Sequence, residues 1–248
     1  MSTIVYEPGG YRFVKGVFQY SAAVAAQPGH RMVRVMFRNP VPLEEGFARI
    51  EAWLKAAGRP LQAFAACELR SPAPFTEDGF RSFNELYTGT LSRWDIYDGK
   101  TNPVTRSNVC PEIAPPPVPS FHAFSYTEKG EADFPTFVVA GSGEAPEGHA
   151  NYRDHIVRLG DVSEGALREK AQWVLGEMER RLSGLGVSWA ETSATQVYTV
   201  HDLHPFLATE IVRRGAARAG LCWHFCRPPV EQLEYEMDCR GVAAEYIA

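Results

Sequence analysis

The chain has 248 residues, and its 25 lysines and arginines against 30 aspartates and glutamates give a formal net charge of −5. This balance disfavours a protein that binds nucleic acid through a basic face. A hydrophobic share of 45% and a charged share of 22% are typical of a folded globular protein and exclude a disordered or collagen-like chain. No apolar run approaches the roughly 20 residues of a membrane helix, and the start, MSTIVYEPGG, does not resemble a signal peptide, so we expect a cytoplasmic protein.

The five cysteines are odd in number, scattered and without a C-x-x-C pair, so we expect reduced thiols and no disulfide framework. Cys222 and Cys226 flank His224, but strand alternation gives these residues one face and not the turn-like spacing of a tetrahedral metal site. The sequence also lacks the phosphate-loop, dinucleotide, zinc-protease and nucleophile-elbow motifs. We therefore expect no metal and no cofactor.

In the first half, residues 17–24 are predicted to form a strand that ends in small side chains. Residues 43–57 carry apolar side chains at i, i+3 and i+7, which predicts an amphipathic helix that stops at Gly58. Further elements follow in order: a strand at 61–69, a helix at 80–87, and strands at 107–113 and 121–126.

The second half repeats this order. A strand at 136–143 ends in small residues, and residues 163–185 place one apolar stripe along a predicted helix. Further elements follow: a strand at 191–200, a helix at 206–212, and strands at 220–225 and 232–239. Matching elements are separated by close to half the chain length, which indicates an internal duplication.

The duplication predicts an α+β protein of two tandem domains, 1–128 and 129–248, each with a sheet covered by two helices on one face. The opposite face of each sheet must also be covered. We expect another copy of the chain to cover it, which predicts association.

Several motifs resemble the RidA (YjgF/YER057c/UK114) family of enamine/imine deaminases. They are F-x-x-x-N-x-x-Y at 80–87, NPVTRS at 102–107, GSGEAP at 141–146, YTVHDL at 198–203 and RPPVEQLEYE at 227–236. Each motif is short, but their shared order covers almost the whole chain as two copies.

The resemblance implies a chorismate-mutase-like fold, three-fold barrels with clefts between neighbouring domains, and hence a homotrimer of six domains. It also implies cofactor-independent hydrolysis of a 2-amino-unsaturated carboxylate, such as 2-aminoacrylate, to a keto acid and ammonia. Two-domain members of this size are similar to 2-aminomuconate-type deaminases. A longer dicarboxylate of that kind would suit a pocket with several arginines nearby.

Arg106 is the predicted ligand of the substrate carboxylate, because a guanidinium donates a planar pair of hydrogen bonds and stays charged. Glu234 is the predicted acid that positions or activates water; Glu236 lies on the same strand face at period two, so either could serve. The other predicted substrate-binding residues are Asn84, Ser107, Ser21, Ser142, Gly143 and Arg218.

The sequence departs from the family pattern in both halves. The recognisable arginine lies in the first half and the recognisable acid in the second, while Glu210 stands where an asparagine is expected. Two interpretations stay open: a composite pocket between the halves, or one degenerate pocket. The second interpretation favours an alternative function, a non-catalytic carboxylate-binding or chaperone-like protein. A ribonuclease fits poorly with the acidic charge.

Overall fold

The computed structural model describes residues 2–149 and 151–248. In chain order the strands are β1 (Thr3–Tyr6), β2 (Tyr11–Val14), β3 (Ala23–Ala26), β4 (His30–Pro42), β5 (Phe64–Arg70), β6 (Thr105–Pro111), β7 (Ser120–Lys129), β8 (Phe137–Gly143), β9 (Ala194–Tyr198), β10 (Leu221–His224), β11 (Cys226–Arg227), β12 (Glu236–Gly241) and β13 (Ala244–Ile247). The helices are α1 (Leu43–Ala56), α2 (Glu77–Arg93), α3 (Glu164–Leu185) and the short α4 (His204–Phe206), which continues into a π-helix at Leu207–Val212.

The strands form two mixed sheets. The seven-stranded sheet has the order β1-β2-β3-β8-β12-β9-β10, and the six-stranded sheet has the order β11-β6-β5-β7-β4-β13. The pairs β5 with β6, β9 with β10 and β4 with β13 are parallel. The predicted α+β class is therefore confirmed.

Each sheet takes strands from both halves of the chain. In the seven-stranded sheet, β2 pairs with β3 and β3 with β8, although β1 to β3 belong to the first half. In the six-stranded sheet, β13 pairs with β4 and β11 with β6, although both come from the second half. A division at residues 128 and 129 therefore does not separate the two sheets, and each half lends terminal strands to the other.

Two of the three long helices, α1 and α3, follow from local signals in their sequences. In α1, Phe47, Ile50 and Leu54 form the buried stripe that the periodicity predicts. The helix α3 begins after Ser163, whose hydroxyl accepts a hydrogen bond from the Ala166 N–H, and ends at Gly186 in the left-handed conformation. Both predicted helices are confirmed.

The helices cover one face of each sheet. Side chains of α1 and α2 share a core with β4, β5 and β7, and α3 packs on β8 and β12. The second helix predicted in the second half is reduced to α4 and the irregular π-helix. The predicted strand at 17–24 begins only at Ala23.

The two sheet faces opposite the helices pack against each other. Tyr11 and Phe13 of one sheet meet Met32 and Ala66 of the other in an apolar cluster. The expectation that another copy covers these faces is wrong, because the sheets cover each other within one chain. The homotrimer itself stays a prediction.

Polar side chains cross the same interface between the sheets. Glu68 of β5 accepts a hydrogen bond of 3.4 Å from Gln196 of β9, and Arg34 of its own sheet holds the same carboxylate at 2.5 and 2.8 Å. Asp238 of β12 accepts a hydrogen bond of 2.5 Å across the interface from Ser107 of β6, and two of 2.8 Å from Gln196 and Tyr198 of its own sheet. These bonds fix the register of β5 and β6 against β9 and β12.

The part of the chain that the structure describes contains neither a membrane-spanning helix nor a metal-binding cluster. None of its helices is long and apolar enough to cross a membrane. No group of three or more histidine, cysteine, aspartate or glutamate side chains within residues 2–149 and 151–248 is arranged to hold a metal ion.

Candidate functional site

Arg106 is a buried arginine on β6, with 2% of its surface exposed. Its Nη2 donates a hydrogen bond of 2.6 Å to Oδ1 of Asn84 on α2. Its Nη1 is buried and has no hydrogen-bond partner among the residues that the structure describes. Buried polar groups are nearly always paired, so this unpaired N–H is a donor that a ligand could use.

Aromatic rings surround the Arg106 guanidinium. Its central carbon lies 4.8 Å from the centroid of Tyr87, 5.4 Å from those of Tyr20 and Phe83, and 5.8 Å from that of Phe80. Within residues 2–149 and 151–248, no carboxylate forms an ion pair with it. Ring faces attract a cation, but they do not replace an anion at a desolvated charge. The local electrostatics therefore favour an anionic ligand.

Arg106 opens into a narrow cleft of about 30 Å³ between the two sheets. Asn108 of β6 lies on one side, and Gly141, Gly143 and Glu236 of the seven-stranded sheet lie on the other. Phe80, Tyr152 and the segment 229–233 complete the walls. The structure thus brings an arginine of the first half and a glutamate of the second half into one cleft.

Glu236 is the first residue of β12, and it is 3% exposed. Burial, with a further contribution from Asp238, raises the pKa of its carboxyl well above 4.5. Its side chain makes no hydrogen bond to any residue that the structure describes. The raised pKa favours the protonated form of this carboxyl group, which can give its proton to a ligand.

Gly141 makes room for this carboxyl group. A Cβ at position 141 would collide with Oε1 of Glu236, and it would also lie 3.2 Å from Cβ of Ser107. A glycine is therefore required for Glu236 to face the cleft from the neighbouring strand.

Arg181 supports the cleft from α3, where it is fully buried. Its Nη1 donates to the carbonyl groups of Ala140 and Gly141 at 3.1 and 3.2 Å, and its Nη2 donates to Glu147 at 2.8 Å. Glu147 also accepts a hydrogen bond of 2.6 Å from Tyr20, whose pKa is raised by burial and by this carboxylate. The Glu147 charge is thereby neutralised inside the protein.

A second buried ion pair holds the chain just before β12. Lys170 of α3 and Glu144 are fully buried and 3.1 Å apart. The Glu144 carboxylate accepts the backbone N–H groups of Glu234 and Tyr235 at 2.7 and 3.1 Å. This pair therefore fixes where β12 begins.

The structure does not bring Glu234 to Arg106. The Glu234 carboxylate lies 2.8 Å from Nε2 of His201 and 3.6 Å from Nη1 of Arg227, and it does not line the cleft. Residues 234 and 236 do not share a strand face. The backbone N–H groups of residues 234 and 235 donate to the Glu144 carboxylate, and regular strand pairing starts only at Glu236. Glu236, and not Glu234, lines the cleft together with Arg106.

The other predicted ligands divide between the cleft and its surroundings. Asn84 contacts Arg106 directly, and Gly143 lines the cleft, where a Cβ would lie 2.9 Å from Leu233. Ser107 points to the opposite face of β6 and donates to Asp238 at 2.5 Å. Ser21 donates to the Pro103 carbonyl at 3.0 Å.

Two further predicted ligands lie outside the cleft. The hydroxyl of Ser142 donates to the Gly143 carbonyl at 3.3 Å. Arg218 is exposed and donates to the Ala190 carbonyl at 2.7 Å. Neither residue contacts Arg106 or Glu236.

Sequence reasoning missed the residues that support the cleft. Lys170 and Arg181 lie on the apolar stripe of α3, near Val174 and Met178, and a charge on a buried stripe is a usable signal. Tyr20, Glu147 and Tyr152 come from irregular segments, where periodicity carries no information.

The chain is similar in sequence to known deaminases. Residues 3–246 match the model of the family described as 2-aminomuconate deaminase CnbZ. The 2-amino-5-chloromuconate deaminase of Comamonas testosteroni is 50% identical over 246 residues, which cover 98% of each chain. A crystal structure of chorismatase is 13% identical, with a TM-score of 0.48 over 98% of this chain and 89% of that one, which is too low to support an argument. The matched range and the identity show that the chain belongs to the 2-aminomuconate deaminase CnbZ family.

Proposed function

We propose that this chain is a deaminase that hydrolyses a 2-aminomuconate-like enamine to a keto acid and ammonia without a cofactor. The observation that carries the proposal is Arg106, a buried guanidinium with a free N–H and no counter-ion among the described residues. The name of the Comamonas relative supports the substrate class. The position of Glu236 in the same cleft supports the reaction type.

Arg106 binds the carboxylate next to the amino group. Its Nη2 is oriented by Asn84, so Nη1 remains for the substrate. A hydrogen bond between two charged groups is stronger than a neutral one, and its strength increases where water is excluded. When Arg106 binds this carboxylate, the carbon atom that carries the amino group lies near Glu236.

Glu236 takes the role that the sequence assigns to Glu234 or Glu236. The protonated carboxyl gives its proton to the enamine carbon, and the C=C bond becomes a C=N bond. The resulting carboxylate then removes a proton from a water molecule that attacks the C=N carbon, which forms a carbinolamine. Burial raises the pKa of Glu236, which favours the protonated form that starts the reaction.

The final step breaks the C–N bond. Glu236 returns its proton to the amino group, ammonia leaves, and the hydroxyl group loses its proton to Glu236 as the carbonyl forms. The enzyme ends in its starting protonation state, and the net change is addition of one water and release of one ammonia.

Release of ammonia from 2-aminomuconate by the purified chain tests this function. Arg106→Gln removes the charge and the paired donors, so we expect kcat/KM to fall by at least about a hundredfold. Circular dichroism would confirm that the variant is folded. Absence of ammonia release by the folded wild-type chain, with 2-aminoacrylate as well, would contradict the proposal.

A further inference from the structure

A second, larger chamber adjoins the cleft on its outer side. Its volume is about 330 Å³, and it shares two walls with the cleft, Phe80 and Tyr152. Asn84 lines this chamber and also bonds to Arg106. The chamber therefore leads from the guanidinium toward the surface.

Arg81 brings a positive charge into this chamber. It lies three residues before Asn84 on α2, and residues three apart share one face of a helix, with Cβ atoms about 5–6 Å apart. Arg81 is exposed and forms no ion pair or hydrogen bond with the residues that the structure describes. Its guanidinium is free to bind an anion.

Glu77 is the acidic group that also lines the chamber. Its carboxylate oxygen Oε1 accepts the backbone N–H groups of Tyr152 and Arg153 at 2.9 and 3.2 Å. Although Glu77 lies four residues before Arg81, it is held by the segment that forms the opposite wall and not by the arginine.

We propose that the outer chamber is a subsite for the second carboxylate of a linear dicarboxylate, with Arg81 as its cationic contact. This inference rests on the proposed function, in which Arg106 holds the first carboxylate. The carbon chain between the two carboxylates then passes between Phe80 and Tyr152, whose rings form an apolar neck. On α2, Arg81 lies about one helical turn from Asn84, which holds Arg106, and this length is comparable to a four-carbon spacer.

The subsite defines the substrate class. A monocarboxylate satisfies Arg106 but leaves Arg81 in contact with water, so it gains one charged contact fewer. The enzyme therefore prefers unsaturated dicarboxylates to monocarboxylates of equal length.

Binding of two six-carbon dienoic acids tests the subsite without turnover. Muconate carries a carboxylate at both ends, whereas sorbate (2,4-hexadienoate) has a methyl group at one end. We expect calorimetry to show that the full-length wild-type chain binds muconate about fivefold to tenfold more tightly than sorbate. In Arg81→Gln, the two acids bind equally. The matched control is Arg213→Gln, another exposed arginine outside both cavities, which keeps the preference.

The outcomes separate the subsite from the reaction. Equal affinities in the wild-type chain, or a preference that survives Arg81→Gln, would overturn the subsite even if ammonia is released from 2-aminomuconate. An Arg81-dependent preference for muconate would support the subsite even if no ammonia is released, and the proposed function alone would then fail.

Discussion

Arg106 and Glu236 are both buried at a cost in stability. The guanidinium has no counter-ion among the described residues, and the carboxyl has no hydrogen-bond partner among them. Two such groups in one cleft would be expensive in a purely structural core. A bound amino acid derivative with a carboxylate and a basic nitrogen would satisfy both, so their isolation is understandable as preparation for a ligand.

The pKa of Glu236 links stability to pH. The folded-state pKa of this carboxyl lies well above the ordinary 4.5. The protonated carboxyl therefore makes its full contribution to stability at pH values below 4.5. It is lost as pH rises toward the folded-state pKa, since the unfolded chain ionises first. Gln resembles the protonated side chain and does not ionise.

Glu236→Gln is therefore expected to raise the free energy of unfolding relative to wild type above about pH 5, and the gain should grow with pH. Urea denaturation at several pH values between about 5 and 8 measures this difference. A gain that is constant with pH, or a loss that grows with pH, would show that Glu236 is ionised in the folded protein.

At the scale of elements, the position of β12 depends on α3 through Lys170 and Glu144. Glu144 holds the backbone just before β12, and the lysine supplies its counter-charge. Burial raises the pKa of Glu144, and Lys170 opposes this effect. The helix therefore controls both the start of the strand and the placement of Glu236.

Lys170→Met is expected to lower the free energy of unfolding by about 3–5 kcal/mol, because it leaves a buried carboxylate without its partner. Arg158→Ala is the control. It removes exposed ion pairs with Asp161 and Glu169 and should leave the free energy of unfolding close to that of wild type. A loss in Lys170→Met as small as that in Arg158→Ala, measured by denaturation, would mean that the buried pair does not anchor β12.

The sequence predicts some elements better than others. The helices α1 and α3 are predictable because their apolar stripes and stop signals are local. The acid of the site is not predictable, because a period of two gives Glu234 and Glu236 the same face. A non-local contact, the Glu144 carboxylate on the backbone at 234 and 235, decides which of them enters the cleft.

At the scale of the whole molecule, the two halves exchange terminal strands. The order of motifs predicts a duplication, but the exchange depends on pairing between residues such as Val33 and Ala244, far apart in the chain. Tandem domains at 1–128 and 129–248 and a homotrimer of 27.6-kDa chains stay predictions. The exchange implies that the halves are interdependent.

Residues 1–128 and 129–248, produced separately, should therefore not unfold cooperatively, because each half lacks strands that complete its sheet. Produced together, they should associate and recover a cooperative transition. Circular dichroism melting curves measure both. A cooperative transition in either half alone would contradict interdependence and favour independent domains.

The most direct test of the account compares two neighbouring carboxamide variants in the release of ammonia from 2-aminomuconate. Glu236→Gln should lower kcat by about 10²–10⁴-fold, since it removes the proton donor and acceptor of the cleft. Glu234→Gln, which alters a carboxylate bound to His201 outside the cleft, should stay within about threefold of wild type. A larger loss in Glu234→Gln than in Glu236→Gln, or full activity in Glu236→Gln, would contradict the assignment of Glu236 as the acid.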